Sequence, residues 1–470
     1  MERLDPLDAV MLTADQVSQP MHVAVVLILS PPAGAGPGYV DELYREALAA
    51  TDPIDPRLCR YPHRGWDTGG IWVWRAAEHL DISQFVKRTT VPPGAGQDGF
   101  WRLVSELHAE RLDQSHPMWA AHLIDGLDDG RFAFYVKVHH AVMDGVAGLH
   151  MLTDALSTDP KRRSMAPFYG AQHHEPTQGA TPAGRRLPNP FTTLRSLVGA
   201  ATSGAALVEK VVTGEVSNLV ASMTTDTTMA PMAAPYSRFN GRIGGQRAVA
   251  AGNWSKKRIR AVQDKAAVSG NDVVLAVIGG ALRSWLLDHG ELPEQSLVTL
   301  CPITVRSHEH GPDDGHGNQF GLWLCPLGTD LEHPAERLDL IHRAMSEGKQ
   351  QVASRGAGAS LLLLLPTLAL TMVLPKVQFA PKVRTAYNVP ISNVPGPETE
   401  MYWNGAHVDE IYPLALVYDG LTLTVTVCAY ADRVGFSYLT SPDVMPDSGE
   451  VIALTERSLA ELEIAVGVVR

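Results

Sequence analysis

Residues 132–145 read FAFYVKVHHAVMDG, and the pattern changes character along them. Phe132, Phe134, Val136 and Val138 fall on one face of an extended chain and Ala133, Tyr135 and Lys137 on the other, because side chains alternate along a strand. Beyond Gly145, Leu149, Leu152 and Leu156 recur at helical spacing. The reading is a strand, a polar turn and a helix, with HHAVMDG as the connection. Connections of this kind present polar groups to clefts.

His139 and His140 are adjacent, so if the strand persists through them their rings point to opposite faces and only one meets a given substrate. Periodicity does not decide which. An imidazole titrating at about 6.5 suits proton abstraction from a hydroxyl near neutral pH, provided a neighbour fixes its tautomer. Asp144 is placed to support the turn, and Gly145 both tolerates a tight turn and keeps a side chain out of the way of a long thioester. The bland alternative is a packed strand-to-helix turn with a solvated Asp144.

Working outward, 470 residues exceed what one hydrophobic core usually supports, so two lobes with a cleft between them are expected. A net charge of −12 disfavours nucleic acid as a partner. Cys59, Cys301, Cys325 and Cys428 are far apart with no CxxC pair, which points away from zinc or a disulfide scaffold and toward a reducing, cytoplasmic setting. The start, MERLDPLDAVMLTADQ, lacks the basic and then apolar pattern of a signal peptide. Pro366 interrupts the apolar run 361–374 well short of the roughly 20 residues that span a bilayer.

Three segments are predicted: an α/β lobe over 1–160 that opens with the strand-like run 23–29, a connector over 161–245, and a second α/β lobe over 246–470. The connector is rich in Pro, Gly, Ala, Ser and Thr, but Phe191–Met223 is proline-free and carries a helical apolar stripe starting at Leu194. Its window 161–200 is net +5 against the acidic whole. The second lobe shows a helical run over 271–288 and strand-like runs over 298–305 and 421–430.

HHAVMDG is an instance of the HHxxxDG motif of the chloramphenicol acetyltransferase-like superfamily. Four further stretches narrow the resemblance: LDPLDAVML followed by PMHVAVV, HPMWAAHLIDGL at 116–127, GNDVVLAVIGGALR at 270–283 and YNVPISNVPGPE at 387–398. In collinear order over nearly the whole chain, these resemble the bacterial wax ester synthase and acyl-CoA:diacylglycerol acyltransferase family. Met118 stands where that family usually has leucine in a PLW segment, a volume-conserving apolar swap.

The resemblance implies an α/β fold of two chloramphenicol acetyltransferase-like lobes around a central substrate tunnel, joined by a partly helical connector. It implies His140 as general base, with His139 and Asp144 catalytic in support and Gly145 and Trp119 toward substrate. Acyl-CoA would be the co-substrate, diacylglycerol or a long-chain alcohol the acceptor, with neither cofactor nor metal. The protein is expected in the cytoplasm, peripheral on the inner membrane face or on lipid droplets. Asn271 either caps its helix or projects into the cleft as a catalytic helper. Arg306 is either a structural partner of Asp144 or an ordinary surface arginine, and no chemistry is assigned to ISNVPGPE.

Other signals carry less. SHEHGPDDGHGN holds His308, His310, Asp313, Asp314 and His316, but its glycines and proline preset no coordination geometry. There is neither a GxSxG elbow nor a P-loop. Two competing functions remain: a condensation-type amide synthase, which would need carrier-protein partners, and a non-catalytic lipid-binding relative, which the intact motif argues against.

Overall fold

The computed structural model describes residues 2–170, 234–306, 318–355 and 385–468, with the backbone alone at 6, 7, 303–306, 318–320 and 353–355. Within these, two six-stranded sheets and one three-stranded sheet organise the chain. The first six-stranded sheet has the order β12 (Tyr402–Trp403), β13 (Ala406–Leu414), β2 (His22–Ser30), β7 (Phe132–His139), β6 (Trp119–Asp125), β5 (Val86–Thr90). The second runs β10 (Asn318–Pro326), β9 (Val298–Arg306), β11 (Val389–Pro395), β14 (Leu423–Tyr430), β15 (Arg433–Thr440), β8 (Ala248–Ser255). In the small sheet β4 (Val73–Ala76) lies between β1 (Glu2–Arg3) and β3 (Arg60–His63).

Helices α1 (Pro6–Ala14), α2 (Tyr39–Ala49), α3 (Gly96–Ala109) and α4 (Gly145–Asp154) belong to the first half. The second half supplies α5 (Lys256–Ala266), α6 (Gly270–Asp288), α7 (Pro334–Arg355) and α8 (Glu450–Ala465). α6 is apolar almost all round and is correspondingly buried. Its Gly279 and Gly280 allow that approach: a Cβ on Gly279 would sit 2.4 Å from the Leu327 carbonyl oxygen, and one on Gly280 would sit 2.2 Å from Ser458 Oγ.

β7 sorts its side chains as the alternation predicts. Phe132, Phe134, Val136 and Val138 join an outer core with Leu27, Leu29 and Leu149, while Ala133 and Tyr135 join a larger core that also holds α6 and β14. That larger core runs through both six-stranded sheets, so the two lobes share packing. The sequence reading keeps 246–470 together, yet 402–414 completes the first sheet by pairing antiparallel with β2, from Leu414 opposite Ala24 to His407 opposite Ser30. Local pattern marks a strand but not its partner, which is why this crossing is invisible in the sequence. The predicted helix 191–223, the apolar run 361–374 and the histidines of 308–316 lie outside the described residues.

Candidate active site

β7 ends at His139, and His140 begins the turn that leads into α4. The turn is held from both sides. The Met118 carbonyl accepts from His139 N at 2.9 Å, and the Met21 carbonyl accepts from His140 N at 2.8 Å. Met118, from the HPMW run, and Met21, from the PMHV run, are both buried. Two of the stretches that carried the resemblance therefore converge on the histidine pair.

The two imidazoles are in different positions. His139 is 1 % exposed; its Nδ1 accepts from Ala141 N at 3.1 Å. With Nδ1 an acceptor, the proton of a neutral ring is on Nε2, which faces Asp15 Oδ2 at 3.9 Å. Burial drives the His139 pKa down to about 4, with Asp15 opposing and His140 and Arg111 adding to the depression. His139 is thus neutral near pH 7, with its one ring lone pair used by Ala141 N and its Nε2 buried facing Asp15 without a hydrogen bond. His140 is 9 % exposed.

Asp15 is a buried neighbour of the turn that sequence reasoning missed. Its Oδ1 accepts from Met21 N (3.0 Å), and its Oδ2 accepts from Arg111 Nε (2.7 Å) and Gln114 Nε2 (2.9 Å). One buried carboxylate therefore faces the His139 ring and, through Met21, bears on the His140 backbone. A signal existed: an acid directly after the C-terminus of α1 opposes the helix dipole and needs a compensating cation. Arg111 is that cation.

Asp144 is the N-cap of α4, accepting from Val146 N (3.0 Å) and Ala147 N (2.9 Å). This ties the turn to the helix, as a capping aspartate does. Arg306 ends β9, but its side chain lies outside the described residues. A cation that does lie within electrostatic reach of Asp144 is Arg57, whose pKa is raised chiefly by its hydrogen bond to Asp55, with a contribution from Asp144. Gly145 has no positive φ, so the conformational reason given for it fails; the steric one is compatible, since a Cβ there would meet nothing within 4 Å.

Trp119 requires a correction. It is 2 % exposed, its indole donates to the Leu58 carbonyl at 3.0 Å, and it stacks on Phe85 with ring centroids 4.9 Å apart. Buried on all sides, it offers no surface to a substrate and serves the outer core. Asn271 is corrected in part: Ser269 caps α6 and closes a capping box with the buried Asp272, so the capping alternative for Asn271 falls away. Asn271 Oδ1 instead accepts from Asn393 Nδ2 at 3.3 Å, which brings the GNDVV and ISNVPG runs together.

β9 and β11 pair only at Thr299–Val389 and Leu300–Pro390, and β11 then continues along β14 alone. Among the described residues no group of three or more His, Cys, Asp or Glu is arranged to hold a metal ion. The fold and the HHxxxDG turn define the class: a two-lobed α/β transferase. A starter condensation domain of rhizomide synthetase shares this fold at 13 % identity, with a TM-score of 0.53 over 99 % of this chain and 95 % of that one.

Closer similarities specify the family. Residues 4–274 match the wax ester synthase/diacylglycerol acyltransferase catalytic domain and residues 316–463 the WS/DGAT C-terminal domain. The chain belongs to this family and is an acyltransferase. A chain of Mycobacterium tuberculosis H37Rv named as a diacylglycerol O-acyltransferase is 35 % identical over 98 % of this chain and 90 % of its own length. The structure of a wax ester synthase/diacylglycerol acyltransferase from Marinobacter aquaeolei VT8 superposes with a TM-score of 0.77 at 31 % identity, covering 99 % of this chain and all of that one.

Proposed function

We propose that this acyltransferase moves a long-chain acyl group from acyl-CoA to the hydroxyl of a diacylglycerol or a long-chain alcohol, bound in a tunnel between the lobes, with His140 as general base. The observation that supports the assignment of the base is the position of His139: it is buried, its one ring lone pair, on Nδ1, accepts from Ala141 N, and its Nε2 points at Asp15. A base needs a nitrogen lone pair open to substrate, and of the two histidines His140 is the candidate.

In the proposed step, His140 Nε2 takes the acceptor's O–H proton as its oxygen forms a bond to the thioester carbon. Collapse of the tetrahedral intermediate breaks the C–S bond, and the proton returns from His140 to the departing thiolate. The co-substrate supplies the activated acyl group, so no cofactor or metal enters. Asn271, oriented by Asn393, is placed here as a polar helper for the developing oxyanion. Asp144 and Gly145 serve by fixing the turn and leaving space beside it.

The test supplies purified protein with palmitoyl-CoA and, in parallel, a diacylglycerol, hexadecanol or a primary amine, following thiol release and acylated product. Ester from either acceptor supports the reading, and the ratio assigns the acceptor class. Thiol release only with an amine acceptor would favour the condensation-type alternative, and no turnover with any acceptor would favour a lipid-binding relative.

Such acceptors are water-insoluble, and among the described residues no single helix is long and apolar enough to cross a membrane. Peripheral association with the cytoplasmic membrane face or lipid droplets is therefore part of this proposal. The net +5 window at 161–200 is one candidate contact for anionic headgroups.

A further inference from the structure

The turn joining β3 to β4 exposes what a folded chain usually hides. Trp66 is fully exposed (103 %) and Ile71 is 46 % exposed, five residues apart on the same tip. Slack backbone does not account for this. Gly65 N donates to Thr68 Oγ1 at 3.1 Å and Thr68 Oγ1 to the Gly65 carbonyl at 3.0 Å, while Arg64 Nε donates to the Gly70 carbonyl at 2.7 Å. Asp67 is tied to His63 at 2.9 Å and to Arg75. A cross-braced turn thus presents an indole outward.

Trp combines a large apolar body with one N–H donor, which suits it to the boundary between water and lipid rather than to either phase. Beside it, exposed Arg64 lies with its guanidinium 5.9 Å from the Trp72 ring centroid, giving a cation on an apolar stem at the same tip. Apolar side chains flanked by a cation are the chemistry of interfacial insertion. The foot of the hairpin also reaches the reaction turn. The short helix Pro56–Cys59 runs into β3; its Leu58 carbonyl holds the Trp119 indole, and its Arg57 lies within electrostatic reach of Asp144.

We propose that the tip 64–72 is a lipid-surface anchor, with Trp66 and Ile71 entering the boundary between headgroups and acyl chains of a phospholipid layer. This rests on the acyl-transfer reading, because a water-insoluble acceptor gives the enzyme reason to sit on lipid. Insertion is mainly apolar, so it survives high salt, unlike attraction of the 161–200 cations to headgroups.

The experiment compares the full wild-type chain with Trp66→Ala/Ile71→Ser by sedimentation with phosphatidylcholine vesicles at low and high salt. Turnover is measured on diacylglycerol in those vesicles and on a short-chain alcohol dissolved in water. The expected result is salt-resistant wild-type binding that falls about tenfold or more in the double variant. Vesicle turnover falls with it while turnover of the dissolved alcohol stays unchanged, and wild-type tryptophan emission shifts blue on vesicles more than that of Trp66→Phe. Unchanged sedimentation of the double variant would overturn the anchor. So would a change in solution mass by light scattering without a change in vesicle binding, which would make the tip a contact between copies. Wild type that binds vesicles but esterifies neither acceptor would count against the acyl-transfer reading instead.

Discussion

The strands of the first six-stranded sheet bury His22, His122, Lys137 and His139, whereas those of the second bury Thr299, Thr424, Thr426, Ser437 and Thr440 among their described polar side chains. Both sheets lie within cores of comparable character, yet the first hides imidazoles and an amine, whereas the second hides hydroxyls and the thiols of Cys301, Cys325 and Cys428, which burial keeps neutral by raising their pKa. In the first, each titratable group has a named partner or cause. His22 Nε2 lies 2.8 Å from the His108 carbonyl oxygen, His108 Nδ1 lies 3.0 Å from Tyr135 Oη, and Lys137 Nζ donates to the Leu107 and Glu110 carbonyls at the end of α3. Burial lowers His122 to about 4 and Lys137 to about 8. Burying such groups costs stability unless they are neutral or paired. The first lobe bears that cost around the His139–His140 turn; the described strands of the second bear little of it.

The largest expected effect comes from His140→Ala, which should lower turnover by about 10² to 10⁴-fold with the fold intact, because that is the usual contribution of a general base. His139→Ala should show the opposite balance, a clear drop in melting temperature with the loss of activity following from it. Steady-state rates with thermal melts check both. Near-full turnover in His140→Ala, or an unchanged melt with vanished activity in His139→Ala, would break the division between the two rings.

Acid should separate the lobes next. Burial, the largest cause for each, holds His122 and His139 at about 4 and His22 and His108 well below their ordinary value of 6.5. Unfolding lets these rings bind protons that the folded chain excludes, so their contribution to stability is full above about pH 6.5 and is lost as pH falls toward 4. Between pH 7 and 5, His122 and His139 should each cost about 1–2 kcal/mol. Amide exchange should then open β2, β6 and β7 before β14 and β15; equal opening of both sheets would contradict the comparison.

A smaller change should follow Asp15→Asn. The isosteric amide keeps an acceptor for Met21 N but removes the charge that faces His139 and balances Arg111. Turnover should fall about tenfold with KM within about threefold, the pattern of a misplaced catalytic group rather than lost substrate contact. NMR of the His139 ring nitrogens sharpens this, since the proton belongs on Nε2 in the wild type. Trp119→Phe should matter least: about 1 kcal/mol of stability for the lost indole bond to Leu58, with KM unaltered. A raised KM without destabilisation would restore Trp119 to the substrate.

Much of this site was legible as local pattern. The alternation over 132–138, the glycine-started helix and the polar turn between them follow from side-chain period and from the cap that Asp144 provides, all within one stretch of chain. The capping box of Ser269 and Asp272 is equally a matter of three-residue spacing, but the sequence analysis weighed Asn271 for the cap instead. The family, too, was readable from collinear motifs.

Tertiary structure decided what spacing does not encode. Asp15 and Arg111 are far apart in sequence, and only the docking of α1 beside the end of α3 makes them a pair that faces His139. Only the sheet order reveals that 402–414 crosses to β2, and only packing turns Trp119 from a ligand contact into core. The sequence left the surroundings of His139 and His140 open for the same reason. Alternation along a strand assigns a side chain to a face, but what lies against that face comes from distant chain, and it is those neighbours that set burial, tautomer and pKa.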